Sequence, residues 1–254
     1  MTLALDSVAV DFGAHFSLQP LSAELRSADF VGLIGPNGAG KSTLLRAMAA
    51  LIAISGHVRL DGRELGTIDP TLRARQIAYL AQATPASWPL SVGELVALGR
   101  LPHRGGRNAL EDDRAVREAL ARTSLTALMG RAVTELSGGE YARAQLARAL
   151  CVEAPILLVD EPIARLDPFH QLQIMDMLRQ HARDGHLVVA VLHDLALAAR
   201  YCDRLFLLDA GRLVADGPPA TVLTQAALRR VYKIDAIVES RDGEPLIVPW
   251  RHLN

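Results

Sequence analysis

The apolar positions of the chain change period along its length, and the changes mark its elements. Residues 3–12 alternate apolar and polar, as a strand with one wet face does, whereas Phe30-Val31-Gly32-Leu33-Ile34 is continuously apolar and reads as a strand buried on both faces. From Ser42 the period lengthens, with Leu44, Leu45, Met48, Leu51 and Ile52 on one helical face. Residues 57–65 hold Asp61-Gly62 between short apolar flanks, which predicts a hairpin and a β-rich N-terminal part. At about Thr84 the character shifts. Pro85, Trp88 and Pro89 mark a loop, and Ser91-Val92-Gly93-Glu94 has the spacing of a capping box that opens a helix. A second helix, residues 111–123, begins with Glu111, Asp112 and Asp113 and carries arginines further on, as the helix dipole favours. Residues 88–134 therefore read as an all-α insert. Beyond it, residues 156–159 and 187–192 are buried strands, and residues 205–208 turn at Asp209-Ala210-Gly211 into residues 212–214. No repeat or low-complexity tract interrupts this order, which excludes a solenoid.

Composition narrows the picture without changing it. At 254 residues and 50% hydrophobic content, the chain is one large α/β domain or a domain with a subdomain, and can bury a sizeable core. The 27 Lys+Arg against 28 Asp+Glu leave a net charge of −1, so no basic surplus points to nucleic acid or to an anionic membrane surface. Cys151 and Cys202 lie far apart without metal-ligand spacing and read as buried thiols in a reducing compartment; the eight histidines form no ligand pattern either. The richest apolar run, residues 187–199, is broken by His193 and Asp194, and is shorter than the roughly 20 residues that span a bilayer. The first ten residues lack a positive segment and alternate like a strand, so a soluble, cytoplasmic chain is expected.

Candidate chemistry lies at three places. Gly35-Pro36-Asn37-Gly38-Ala39-Gly40-Lys41-Ser42-Thr43 is a full G-x-x-x-x-G-K-S run between a buried strand and an amphipathic helix. Its glycines allow successive backbone N–H groups to converge on phosphate oxygens at a helix N-terminus, Lys41 would reach the β- and γ-phosphates, and the Ser42 hydroxyl would ligate Mg²⁺. Only Lys41 and Lys233 are lysines, so an arginine-biased chain keeps a compact ammonium at this position. Second, Ile156-Leu157-Leu158-Val159-Asp160-Glu161 delivers two carboxylates at a strand end: Asp160 to hold Mg²⁺ and Glu161 to act as general base on water. Third, Leu136-Ser137-Gly138-Gly139-Glu140 precedes a helix that opens just after the two glycines, a second anion-binding end.

Walker A, an LSGGE signature and Walker B, in this order, resemble the ATP-binding subunit of an ATP-binding cassette (ABC) transporter over essentially the whole chain. The resemblance implies a P-loop NTPase of α/β class with a RecA-like core, an N-terminal antiparallel β subdomain and an α-helical subdomain: a single cassette, with approximately residues 1–87 and 135–254 as core and 88–134 helical, the signature helix continuing to about residue 150. It also implies roles. Gln82 resembles the Q-loop glutamine that contacts Mg²⁺ and the attacking water, and His193 the switch histidine that bonds the γ-phosphate. Asp167, in Ala164-Arg165-Leu166-Asp167, resembles the D-loop aspartate, and Phe12 the aromatic that stacks on adenine, with Phe16 as fallback. Two departures stand out: Glu161-Pro162-Ile163 where the family commonly has Glu-Pro-Thr, and Glu140 followed by Tyr141 where Gln and a polar residue are frequent.

In the family, two such chains pack head to tail as a homodimer, with two ATP molecules held between residues 35–43 of one and 137–140 of the other. The stretch Gly99-Arg100-Leu101-Pro102-His103-Arg104, the acidic helix after it and the ending around Gly243-Glu244-Pro245-Leu246-Ile247-Val248-Pro249 look like importers of the iron–siderophore, haem and cobalamin branch. The implied partners are two membrane permease subunits and an extracytoplasmic substrate-binding protein, and the implied location is peripheral, on the cytoplasmic face of the inner membrane. Two other classes stay open. A soluble ABC ATPase serving cluster assembly would lack membrane association, and a P-loop kinase would leave Ser137-Gly138-Gly139 without a role.

Overall fold

The computed structural model describes residues 1–13, 16–82, 89–104, 109–241 and 244–253. The N-terminal alternation forms β1 (Thr2–Asp11), paired antiparallel with β2 (Ser17–Arg26) in the register Leu3↔Leu25 and Leu5↔Ala23. The continuous apolar run forms β3 (Phe30–Ile34), buried throughout, and β4 (Ser55–Leu60) takes the other edge of β1 before turning into β5 (Arg63–Glu64). Both turn residues have left-handed backbone, Asp61 at φ 48 and Gly62 at φ 79, as the Asp-Gly pair predicts for a tight hairpin.

A second sheet joins β3 to β6 (Ile77–Leu80), β7 (Ile156–Asp160), β8 (Leu187–Val191), β9 (Arg204–Asp209) and β10 (Arg212–Gly217), in the order β10-β9-β3-β8-β7-β6. All its pairs are parallel except β9 with β10. Its continuous apolar runs are explained by two covered faces. Val31, Leu33, Ile156, Leu158, Val189 and Val191 face the β1 sheet, whereas Phe30, Ile34, Leu157, Val159, Val188 and Ala190 point into the other cluster. Each such side chain contributes about 1.5–3 kcal/mol relative to exposure, so the sheet is held from both sides.

The α-helices of six residues or more, among the described residues, are α1 (Lys41–Met48), α2 (Pro70–Gln76), α3 (Val92–Ala97), α4 (Ala109–Arg122), α5 (Gly138–Leu150), α6 (Pro168–Arg183) and α7 (Leu195–Tyr201). Ile174, Met175 and Leu178 of α6 and Ala198 and Ala199 of α7 cover the second face of the central sheet. A third apolar cluster joins Val92, Leu95 and Val96 of α3, Ala115, Val116, Ala119 and Leu120 of α4, and Ala144 and Ala147 of α5. Arg100, only 7% exposed, ties this region together: it donates to the Asp112 carboxylate, the Cys151 carbonyl and the Glu153 carboxylate. The chain ends in a hairpin of β11 (Ile234–Arg241) and β12 (Glu244–His252), lying against α7.

Some expectations need correction. Helix α1 stops at Met48, because Ala50 turns left-handed at φ 51, and Leu51 is exposed instead of sharing the apolar face. Helix α5 opens before its glycines, with Ser137 as N-cap and Gly138 and Gly139 inside its first turn. The loop expected at Pro85 and Trp88, the boundary at residue 87–88 and Gly243 lie outside the described residues.

Candidate nucleotide site

The loop joining β3 to α1 needs glycine where glycine stands. Gly35, Gly38 and Gly40 have φ of 146, 78 and 100, and a Cβ at Gly35 would come within 2.1 Å of the Leu208 carbonyl oxygen. The backbone thus curls around the start of α1, whose first N–H groups have no partner within the helix. Lys41 is buried, its ammonium donating to the carbonyls of Gly35 at 2.8 Å and Pro36 at 2.9 Å. Burial pulls its pKa down, while the Glu161 and Asp160 carboxylates pull it back up.

Four strand ends complete the site. Beside β3, the adjacent parallel strands β6, β7 and β8 bring Gln82, Asp160 with Glu161, and His193 to the same carboxyl edge, where open α/β sheets bind their ligands. Ser42 donates its hydroxyl to Asp160 Oδ1 at 2.8 Å, and Asp160 is 3% exposed. Glu161 follows with φ 51, a left-handed kink at the strand end. Its Oε2 accepts from Gln82 Nε2 at 2.8 Å and its Oε1 lies 2.7 Å from His193 Nε2. A cavity of about 390 Å³ opens here, lined by Asn37, Gly38, Gly40, Lys41, Ser42, Thr43, Glu161 and His193. The aromatic in that lining is Phe16, whose ring lies over Gly40; Phe12 is half exposed and outside it.

The remaining sequence-derived residues stand at two helix starts. Ser137 caps α5 reciprocally with Glu140: the hydroxyl accepts from the Glu140 N–H, and the Glu140 carboxylate accepts from the Ser137 N–H at 2.8 Å. Hydrogen bonds to this carboxylate from the Ser137 backbone N–H, foremost, and from the Ser137 side chain lower the Glu140 pKa. Asp167 caps α6, accepting from the His170 N–H at 3.0 Å. None of Ser137, Gly138, Gly139, Glu140 and Asp167 lines the cavity at Lys41; Gly138 borders a separate one of about 450 Å³ that also reaches Gln82 and Glu161. Ile163, at the departure from Glu-Pro-Thr, is buried under the sheet and packs where a hydroxyl would need a partner.

Two residues near the site were not singled out from the sequence. Tyr79 lies with its hydroxyl 3.4 Å from Asp160 Oδ2 and is also bonded to Arg46, so α1 and β6 both lean on this carboxylate. Tyr79 is half-buried in a strand and Arg46 is one of many arginines, so nothing in their spacing separates them from core and surface residues.

The donors fit the groups expected. Ser42, Asp160 and Gln82 offer hard oxygens, suited to Mg²⁺ and unsuited to softer metals. Among the described residues, no group of three or more His, Cys, Asp or Glu forms a separate metal site, and no helix is long and apolar enough to cross a membrane.

A phosphate-cradling loop, an acid pair at a strand end and a second glycine-bearing helix start define a nucleotide-hydrolysing cassette. The family described as ABC transporter matches residues 18–164, and the chain belongs to it, as an ATP hydrolase. Among its relatives, the hemin import ATP-binding protein HmuV of Streptomyces coelicolor is 45% identical over 251 residues, 98% of this chain and 90% of that protein. The protein of the same name in Pseudomonas entomophila is 42% identical over 254 residues, covering 97% and 99%. A solved dimeric cassette in a post-hydrolysis state, bound to ADP and Pi, superposes with a TM-score of 0.73 at 28% identity, covering 85% of this chain and 98% of that one.

Proposed function

We propose that this chain is the ATP-hydrolysing subunit of a haem importer. The observation that carries its ATPase half is the Glu161 carboxylate, held between Gln82 and His193 beside the Ser42–Asp160 pair. The substrate half rests on the relatives, named for hemin import.

The proposed mechanism follows from the chain's own atoms. The backbone N–H groups of residues 35–43 bind the phosphates, and Lys41 exchanges the Gly35 and Pro36 carbonyls for β- and γ-phosphate oxygens. Ser42, Asp160 and Gln82 would hold Mg²⁺, which when bound neutralises charge on the β- and γ-oxygens. Glu161 takes the proton of the attacking water, and His193 orients that carboxylate and reaches the γ-phosphate. Phe12 is proposed to stack on adenine, with Phe16 in reserve from its place over Gly40.

Residues 1–254 act as one cassette, residues 88–134 forming the helical part. Two copies close head to tail, with Ser137, Gly138, Gly139, Glu140 and Asp167 of one facing the nucleotide of the other; ATP favours the closed pair and hydrolysis releases it. The pair works on the cytoplasmic face of the inner membrane beneath two permease subunits, served by an extracytoplasmic binding protein.

The test is reconstitution in liposomes with the permease recovered alongside the chain from host membranes. Haem-loaded binding protein should stimulate ATP turnover above the level given by cobalamin-loaded or siderophore-loaded counterparts. Greater stimulation by cobalamin or a siderophore would move the substrate within the branch, and recovery with cytosolic partners alone would favour an ABC ATPase outside transport.

A further inference from the structure

The start of α5 carries a contact that none of the roles above uses. Gly139 is buried, and a Cβ built there would fall 2.2 Å from Cδ2 of His170 and 2.5 Å from its Cγ and Nε2, so the imidazole lies directly on the glycine. His170 stands in the first turn of α6, and its backbone N–H is the one that Asp167 accepts. Its Nδ1 lies 3.2 Å from Arg143 Nη1, which also donates to Gln173 Oε1 at 3.0 Å. Nδ1 also lies 3.1 Å from Gln173 Oε1, so it bonds to the Arg143–Gln173 pair, accepting from the guanidinium or donating to the amide oxygen according to its tautomer, while Nε2 lies 3.9 Å from Asp167 Oδ2.

The spacing makes this an interlock between two helix starts. Arg143 sits one turn beyond Gly139 on the same face of α5, and Gln173 one turn beyond His170 on α6. Ser137, Gly138 and Asp167, the groups these two starts present, are exposed. Arg143 is 9% exposed and its Nε has no partner, so its hold on α6 rests on Nη1.

We propose that His170 is a positioning residue: by seating its ring on Gly139 and hydrogen-bonding through Nδ1 to the Arg143–Gln173 pair, it fixes the start of α5 to the start of α6, so that Ser137 and Asp167 meet the partner's ATP as one rigid unit. The proposal rests on the reading that Ser137 acts on the nucleotide of a second copy. It requires glycine at 139 for space, and at 170 a flat ring with a hydrogen-bonding nitrogen where Nδ1 stands.

The experiment uses the full chain and three substitutions. His170→Ala removes both contacts, His170→Asn keeps a hydrogen-bonding group near the Nδ1 position without the ring, and His170→Phe keeps a ring without the hydrogen bond. Steady-state ATP turnover is measured against ATP concentration, together with binding of a fluorescent ATP analogue and the melting temperature. Since misplacing a catalytic group by about 1 Å can cost up to ~100-fold, His170→Ala should lower kcat by about tenfold with KM for ATP within about twofold, and Asn and Phe should each recover part of that loss. A folded His170→Ala with wild-type kcat overturns the proposal, as does a loss expressed in KM and analogue binding. If His170→Ala does not fold, partial kcat loss in both Asn and Phe supports it and wild-type kcat in both overturns it. Ser137→Arg serves as the control: if it leaves kcat unchanged, the two-copy reading fails and the proposal with it, whereas sensitivity at Ser137 and indifference at His170 sinks the positioning role alone.

Discussion

Glu161 shows how much a single backbone angle decides. A left-handed conformation costs a non-glycine residue about 1–3 kcal/mol and persists where the surroundings impose it. Here φ 51 turns the carboxylate out of the strand line toward Gln82 and His193, while Asp160, one residue earlier, stays buried on Ser42. The two acids were legible as a pair at a strand end, and that kink sends their carboxylates to different partners. Glu161→Gln should therefore reduce ATP turnover by about 10²–10⁴-fold, the range for a general base, while ATP binding stays near wild type. Phosphate release and equilibrium binding check both halves; retained turnover would remove Glu161 as the base. The aromatic assignment was less legible, because Phe12 and Phe16 flank the same short connection and only their packing separates them.

At the scale of elements, caps were readable and contacts between helices were not. The Ser91–Glu94 capping box forms as its spacing predicts, whereas the α5 start moved by two residues because Ser137 with Glu140 makes the same box and draws both glycines into the helix. The joint between α4 and α6 had no signature. Near its C-terminal end α6 buries His181, stacked on His186 with ring centroids 4.0 Å apart, with Arg122 of α4 at 3.1 Å from its Nδ1 and Asp184 also facing it. Burial, foremost, with His186 and Arg122, pushes its pKa down from 6.5 to about 3. The unfolded chain therefore takes up a proton below about pH 6.5 that the native state refuses until about pH 3, and stability falls as pH drops through that window. Replacing His181 by Leu removes this contribution. The melting temperature of His181→Leu should decline less steeply than wild type between pH 6.5 and 4 in calorimetry; parallel curves would show that His181 titrates alike in both states.

At the scale of the whole molecule, the sequence-derived residues fall into two groups, one lining the cavity at Lys41 and one outside it. The cavity at Lys41 gathers Glu161 and His193, while Ser137 and Asp167 stand on helix starts outside it. In the proposed two-fold arrangement each copy supplies what the other lacks, so the bound γ-phosphate should set the assembly state. Glu161→Gln with MgATP should sediment as a dimer and revert to monomer with MgADP, and adding Ser137→Arg should abolish the dimer. A nucleotide-independent mass in analytical ultracentrifugation would contradict this.

The sequence by itself determined the elements of the core, the phosphate loop and the acid pair, because each is a local pattern: period, glycine placement and capping express forces between near neighbours. It also carried the family, through three motifs in order. Tertiary structure decided what depends on residues distant in the chain. Gln82, Glu161 and His193 meet because three parallel strands end on one edge. Tyr79 leans on Asp160 across the neighbouring strands β6 and β7, and His170 lies on Gly139 where the starts of α6 and α5 pack together. Such contacts are fixed by packing between elements, and packing leaves no periodic trace in a single chain.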